Sequence, residues 1–324
     1  MPGPAVVIPN WNGRRWLPGC LASLAAQQLA PAEVIVVDNG SRDGSVEYLA
    51  AEHPEVRVIA LDRNTGFAHA ANQGLRAART GAVALINTDV ELAPDWLARM
   101  AAVLDAHPGC ASVACKMLSL ADPGEVYDAG DVLRRDGACE QRGRFGRDDG
   151  RWDEPGEVFG ACAGAALYRR EAVLALGGFE ERYFAYLEDV DLALRLRLAG
   201  WGCRYEPAVA LHAGEGSSHQ LSGAHHRLIA RNTVILVTRF YPLSWAGPVV
   251  YRQLAWLRHA ARTGRLRAHL RGLREGLGSV PALASERRGL RSAARVPVQS
   301  AVPARPWRGP RAGGHPAQLR GADR

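Results

Sequence analysis

The stretch "EVIVVDNGSRDGSVEYLAAEH", residues 33–53, changes its period partway along. Glu33 to Asp38 is a β-branched run that ends on a carboxylate, and Asp38-Asn39-Gly40-Ser41 is turn material. From Ser45 the apolar residues return at helical spacing, with Ser41 or Asp43 available as a cap. A strand that is apolar at successive positions has to be buried on both faces, as in a parallel sheet covered by helices. A strand followed at once by a helix is also the crossover that a parallel neighbour requires.

The same unit repeats on either side. Ahead of it lie "AVVIP" (5–9) and the helical spacing of Leu17, Leu21, Leu24 and Ala25. Behind it come "VRVIAL" (56–61), the helix "GFAHAANQGLRAA" (66–78) and the strand "GAVALINTD" (81–89). The predicted fold class is α/β: one Rossmann-like, mostly parallel sheet flanked by helices. Ligands of such sheets gather at the carboxyl ends of the strands. The polar residues fall there: Asn10 and Asn12, Asp38 and Asn39, Asn64, then Asn87 and Asp89.

Residues 119–158 are polar and Gly-rich and read as irregular hairpins or a mobile loop. "VFGACAGAALYRREAVLALGGF" (158–179) then gives a small-residue strand and a helix ended by Gly177-Gly178. After the acidic stretch "YFAYLEDVDLALRLRLAG" (183–200), "CRYEPAVALHAGEGSSH" (203–219) is a strand leading to His212 in a Gly/Ser loop. Residues 225–280 keep helical spacing, with Leu among Arg. No apolar run of 18 or more residues occurs, so nothing here is expected to span a bilayer, although this segment could lie on one. The expected divisions are a catalytic domain over 1–224, a basic amphipathic helical extension over 225–284 and a disordered Arg/Pro-rich tail over 285–324.

The 324 residues are 47% hydrophobic and 23% charged, ordinary for a globular protein. The net charge of +7 is unevenly placed. Residues 258–324 hold fifteen Arg against three acids, +12, which leaves −5 on residues 1–257. Six scattered cysteines without a C-x-x-C pair argue against a disulfide framework or structural zinc, and for a reducing compartment. The N-terminus shows no secretory pattern, so a cytoplasmic protein is expected.

Four places could carry chemistry, each beside a plainer reading. Asp38 can accept hydrogen bonds from a base or ribose, or simply form an Asx-turn. In "NTGFAHAANQG" (64–74), Gly66 allows close backbone approach at a helix N-terminus that favours anionic groups, or is ordinary loop chemistry. Asn87 and Asp89, two apart at a strand end, can hold a hard divalent cation and through it a diphosphate. They can equally end a strand ahead of an Asp95-capped helix. Glu188 and Asp189 can cap a helix, or offer a carboxylate that takes a proton from a hydroxyl beside an aromatic sugar platform. Asp191 with Arg195 is the favourable i, i+4 pair of that helix, and Arg195 and Arg197 read as solvated or ion-paired.

Taken in order, "VVIPNWNG", "VIVVDNGSRDGS", "NTGFAHAANQG", "LINTDVEL", "GGFEERYFAYLEDVDLALRLRLAG" and "YEPAVALH" resemble family 2 glycosyltransferases, in the rhamnosyltransferase-like branch, over about residues 4–240. The resemblance implies a GT-A fold, a nucleotide-diphosphosugar donor (dTDP- or UDP-linked), Mg²⁺ or Mn²⁺, and inversion at the anomeric carbon. Position by position it implies that Pro9, Asn12, Asp38, Asn64, Gly66 and Asn87 bind the donor, Asp38 through the nucleoside. Asn87 and Asp89 stand for the D-x-D motif, with Asn in place of the first Asp. Asp89 is then the metal ligand, and His212 helps to hold the metal or the diphosphate. Glu188-Asp189 matches the E-D motif, with Asp189 the general base.

Nucleotidyltransferases and dinucleotide oxidoreductases open on Gly-rich loops that "PNWNGRRW" does not supply. A processive synthase should carry Q-x-x-R-W and membrane helices, so transfer of a single sugar is expected, rhamnose being the sugar of that branch. The acceptor is expected to be a saccharide or lipid-linked. The alternative is a retired nucleotide-sugar-binding or membrane-scaffolding protein. For the basic C-terminus, Leu among Arg favours an anionic membrane surface, peripheral at the inner face of the cell membrane, over nucleic acid.

Overall fold

In the computed structural model, which describes residues 3–214 and 222–304, the first half of the chain alternates as its period requires. β1 (Ala5–Asn10), α1 (Leu17–Ala25), β2 (Glu33–Asp38), α2 (Ser45–Glu52), β3 (Arg57–Ala60), α3 (Phe67–Ala77) and β4 (Ala82–Ile86) follow one another. Then come β5 (Val90–Leu92), α4 (Trp96–Ala106), β6 (Cys110–Ser119), β7 (Val126–Asp128), β8 (Asp131–Leu133), β9 (Cys139–Gln141) and β10 (Gly156–Glu157). β11 (Ala165–Arg169), α5 (Arg170–Ala175), α6 (Glu188–Leu198) and β12 (Gly202–His212) complete the sheet and its cover.

The sheet runs β10-β12-β6-β11-β4-β1-β2-β3. β3, β2, β1 and β4 are parallel, as are β6 and β12; β11 is reversed between them. Side chains alternate between its faces. Val7, Ile35, Val37 and Leu85 pack on one side with Leu75 of α3 and Leu192 and Leu196 of α6. Val6, Ile8, Val36 and Ile86 pack on the other with Leu17 and Leu21 of α1 and Trp96 and Leu97 of α4. The unbroken apolar runs of the sequence are these two cores read along one strand. Pro9 pairs with Val37 at the end of β1, beyond the stretch that pairs with β4, where its missing N–H costs the ladder nothing.

Of two helix starts, one follows one of its two expected alternatives and the other departs from expectation. Asp43, not Ser41, serves α2: its Oδ1 accepts the Ser45 amide at 3.1 Å, while Ser41 Oγ accepts the Asn12 amide. Asp95 makes no capping bond to α4; Gln27 Oε1 reaches across from α1 and accepts the Leu97 amide at 2.9 Å.

Residues 119–158 form hairpins rather than a mobile loop. β7 pairs with β6, and β8 with β9. Lys116, the chain's one lysine, is buried on β6 and pins the excursion through Asp148 (3.0 Å) and Asp153 (2.5 Å).

α7 (Ser222–Phe240), α8 (Ala246–Arg262), α9 (Leu266–Gly278), α10 (Val280–Ala293) and α11 (Val298–Ala301) follow β12. They build a third core against α6, in which Leu194 and Leu198 meet Ile235, Leu236, Phe240, Leu283 and Val302. The disorder expected from residue 285 is therefore corrected for 285–304. Leu283 and Val302 are buried, worth about 1.5–3 kcal/mol each; Glu286 pairs with Arg182 at 2.7 Å. The Gly/Ser loop at 215–221 and the tail at 305–324 lie outside the described residues.

Candidate active site

The carboxyl edge of the sheet is one continuous line of polar contacts. Asp38, 1% exposed, accepts the Asn10 amide on Oδ2 at 2.7 Å and the Ser41 backbone N–H on Oδ1 at 2.9 Å. The Asx-turn is therefore formed, and the carboxylate still has further lone pairs to offer. Asn12 (φ 51°) braces the same loop, its Oδ1 accepting the Arg42 amide. Asn39 joins it to the next strand end by donating to the Asn64 side chain and the Gly66 carbonyl. Gly66, at φ 91°, lies under the Phe184 carbonyl, where a Cβ would stand 2.5 Å from the oxygen. On the other side, a Cβ at Gly13 would strike Asn10 and Thr88, so the ends of β1 and β4 also touch.

Asp89 follows directly, 5% exposed, with His212 Nε2 3.7 Å from its Oδ2. His212 ends β12 rather than lying in a loop. Its Nδ1 accepts the Gly214 amide at 2.8 Å, so the proton of the neutral ring is on Nε2, facing Asp89. Burial pushes the ring's pKa down, against the pull of Asp89. The imidazole stacks on Tyr127 at 4.0 Å between centroids, and the Arg144 guanidinium lies 3.7 Å from the centroid of that same tyrosine ring.

One short loop carries the edge across to α6. The Asn87 amide donates to the Gly164 carbonyl at 2.8 Å, and the Ala163 amide donates to Asp189 Oδ2 at 3.2 Å. The D-x-D-like pair and the E-D pair thus both bond to the adjacent residues Ala163 and Gly164. Asp189 Oδ1 also accepts its neighbour's amide, Val190, at 2.8 Å. Neither acid is the helix cap; that place belongs to Leu187.

The approach to Asp189 is strained. Phe184, Tyr186 and Leu187 all have positive φ (66°, 71° and 68°), a conformation costing non-glycine residues about 1–3 kcal/mol each. Asn232 of α7, fully buried, holds the turn by donating to the carbonyls of Tyr183 (3.1 Å), Ala185 (2.9 Å) and Tyr186 (2.7 Å). Tyr183 does not belong to an aromatic platform: it is buried, with its hydroxyl 3.0 Å from Asp191. Asp191 is also wholly buried, bound by Arg195 at 2.5 Å and by Arg239. Arg195 is therefore an interior residue, not a solvated one.

Four acids, Asp128, Asp131, Glu188 and Asp189, share one part of the interior. Burial, and then mutual repulsion, pushes Asp131 and Glu188 well above the usual carboxylate range. Asp128 is pushed up to about 7, chiefly by burial. Asp189 is raised by burial too, but amides of Ala163 and Val190 pull it back. Asp131 Oδ2 and Glu188 Oε2 are buried without a hydrogen-bond partner among the described residues. All of these carboxyls are raised, and only Asp189 has more than one backbone amide opposing the burial, a difference in environment of the kind that acid–base chemistry uses. Among the described residues, no group of three or more His, Cys, Asp and Glu gathers as a complete metal cage.

The structure therefore brings together Pro9, Asn12, Asp38, Asn64, Gly66, Asn87, Asp89, Glu188, Asp189 and His212 along one edge. Sequence reasoning missed Tyr127, Asp128, Asp131 and Arg144, all in the hairpin excursion, and Asn232. Spacing gave no sign of these except "YDAGD" (127–131), two acids three apart around a glycine.

A mostly parallel sheet of this order, with β11 reversed inside it and helices on both faces, is the GT-A fold of glycosyltransferases. The chain belongs to glycosyl transferase family 2, whose pattern matches residues 5–177. It is 31% identical over 299 residues to an N-acetylglucosaminyl-diphospho-decaprenol L-rhamnosyltransferase of Mycobacterium tuberculosis, covering 81% of this chain and 95% of that one. A pre-mycofactocin glycosyltransferase of the same species is 32% identical over 204 residues, 62% of this chain and 40% of its own. Among solved structures, GalNAc-T7 with UDP, GalNAc and Mn²⁺ superposes with a TM-score of 0.59 at 17% identity, over 74% of this chain and 48% of that one. A mannosyltransferase from Pyrobaculum calidifontis with GDP-Man and Mn²⁺ gives 0.53 at 20%, over 93% and 85%.

Proposed function

We propose that the chain transfers a single sugar, rhamnose in the first instance, from a dTDP- or UDP-linked donor to a saccharide or lipid-linked acceptor, with inversion. The observation that carries this reading is the 162–164 loop, which sets Asp189 and the Asn87–Asp89 pair on either side of one short stretch of backbone. The name of the mycobacterial relative supports rhamnose and a polyprenyl diphosphate acceptor. An acceptor of that kind would place the protein at the cytoplasmic face of a membrane.

The chemistry follows from the side chains. Asp189, pulled toward ionisation by backbone amides, takes the proton of the acceptor hydroxyl as that oxygen attacks the anomeric carbon opposite the leaving group. Glu188, whose pKa burial and the neighbouring Asp189 push up, resists placing a second charge beside that approach. Asp38 accepts from the nucleoside, with Pro9, Asn12, Asn64 and Gly66 shaping the wall around it. Arg144 and the Nε2–H of His212 face the diphosphate as donors, and this favours the diphosphate over the metal as the partner of His212.

A divalent ion fits the site through its donor chemistry. One carboxylate, Asp89, with the Asn87 amide oxygen beside it, is the partial set that Mg²⁺ or Mn²⁺ completes with phosphate oxygens and water. Bound there, the ion would neutralise charge on the departing nucleoside diphosphate.

A panel of nucleotide sugars with the purified chain and Mn²⁺, scored for nucleoside diphosphate release with and without a polyprenyl-diphosphate-linked N-acetylglucosamine, tests the reading. Acceptor-dependent release from one donor is expected. Donor binding without release from any member would instead support the retired, scaffolding alternative.

A further inference from the structure

Among the described residues, seven large apolar side chains are exposed, and six of them lie between residues 243 and 277. They are Leu243 (83%), Val250 (56%), Tyr251 (75%), Leu254 (54%), Leu270 (47%) and Leu277 (62%). Among the described residues before them, only Phe145 is a large apolar side chain so exposed. The exposed residues follow the helix period. Val250, Tyr251 and Leu254 continue into Arg258, Ala261 and Arg262 along the outer stripe of α8. On α9 the stripe runs Arg267, Leu270, Arg271, Arg274 and Leu277.

The inner faces of these helices are already occupied. Gly272 and Gly276 of α9 press on α7 so closely that a Cβ at Gly276 would stand 2.7 Å from Val234. Arg252 of α8 turns inward to Asp136 at 2.6 Å. The outer stripes are therefore surplus to the fold. Their charge says what covers them. From Ala246 to Arg274 there is no acidic residue, and Arg258, Arg262, Arg265, Arg267, Arg271 and Arg274 are all exposed. A second copy of so basic a surface would repel it, since like charges directly opposed are unfavourable. An anionic bilayer surface satisfies both halves: lipid headgroups take the guanidinium groups while Tyr251 and the leucines enter the acyl boundary.

We infer that the outer stripes of α8 and α9 dock the protein on an anionic membrane surface, lying on the bilayer without crossing it. No helix among the described residues is long and apolar enough to cross one. The inference deepens the proposed action on a lipid-linked acceptor and rests on that reading for its purpose, though not for its geometry.

The test is flotation of the full chain with phosphatidylcholine vesicles, with and without phosphatidylglycerol, at low and high salt. Alongside it, transfer is assayed to a short-chain, detergent-free acceptor. Flotation is expected only with the anionic lipid and should weaken with salt. Tyr251→Asp combined with Leu254→Asp should abolish it, and Arg267→Gln and Arg274→Gln should each weaken it about fivefold, the equivalent of about 1 kcal/mol per basic residue. In all these variants transfer to the short acceptor should be unchanged. Absence of lipid-dependent flotation while that transfer persists would overturn the docking face alone. Flotation with no transfer to any acceptor would instead overturn the proposed activity. A dimer by light scattering that the Tyr251/Leu254 variant dissolves, with vesicles ignored, would assign the stripes to a second copy and sink the inference.

Discussion

The side-chain amide of Asn232 lies 2.7 Å from the carbonyl oxygen of Tyr186, two residues before the acids that open α6. It ties α7, the first helix after the sheet, to the strained turn that delivers Asp189. Three carbonyls share that amide, and no nearby solvent can replace it, because Asn232 is fully buried. Asn232→Ala should release the turn toward ordinary φ values and displace the base. A misplacement of this kind costs about a hundredfold in kcat, with donor KM nearly unchanged. Steady-state kinetics on the folded fraction checks it; a lowered Tm with kcat intact would reduce Asn232 to a packing residue.

Asp189→Asn removes the proposed proton acceptor while keeping an oxygen for the Ala163 amide. Turnover should fall about 10²–10⁴-fold, the usual contribution of a general base. Donor affinity, measured by calorimetry, should hold, because Asp38 and the residues around it are untouched. Survival of turnover would transfer the role elsewhere, and Asp131, also buried near the pair, would be the first residue to test.

Much of this site was legible because it is local. Strand ends carry Asp38, Asn64, Asn87 and Asp89, and the alternation of apolar strand and helix fixes which ends lie on one edge. What was not legible arrives from a distance. Tyr127 and Arg144 reach His212 only because β7 pairs with β6 and Arg144 folds back from beyond β9. Asp191 read correctly as the i, i+4 partner of Arg195, yet its burial depends on Arg239, 48 residues away. The helices beyond residue 285 looked disordered because Arg and Pro dominate them; a few well-placed contacts tether them, among them buried Val302, the Glu286–Arg182 pair and the Arg295 amide on the Leu198 carbonyl. Composition averages such contacts away.

Asp191 provides a stability test distinct from catalysis. Asp191→Ala strands Arg195 and Arg239 in the interior with no carboxylate between them, although Glu180 still reaches Arg239 at 3.1 Å. Removing one partner of a buried ion pair costs about 3–5 kcal/mol. Urea unfolding should show a loss of that size, whereas a change under 1 kcal/mol would mean that solvent enters this network freely.

Metal dependence divides along Asp89. Chelation should remove activity, and Mn²⁺ or Mg²⁺ should restore it. Asp89→Ala should raise the metal needed by about tenfold or more, since even outer partners of a metal site cost that much when removed. His212→Gln should leave the metal requirement close to that of the parent and raise the donor KM, because the ring faces the site with an N–H. An equal loss of metal affinity in both variants would make His212 a ligand after all.

The four buried acids give the last prediction its sign. Asp128, Asp131, Glu188 and Asp189 all have raised pKa values in the fold, so between about pH 4 and the raised values the folded chain holds protons that the unfolded chain has lost. Stability contributed in this way is complete below the unfolded carboxylate range and declines as pH rises. For Asp128 the decline should run from about pH 4 to about 7. Each retained proton contributes a slope of up to about 1.4 kcal/mol per pH unit. Asp128→Asn cannot lose a proton, so its unfolding free energy should fall less steeply across that window than the parent's. At the same time kcat/KM of the parent should rise with pH along a limb set above the ordinary carboxylate range, as Asp189 ionises. Denaturant titrations from pH 4.5 to 8 separate the two: parallel stability curves for parent and variant would show that Asp128 is ionised in the fold and that burial does not control this cluster.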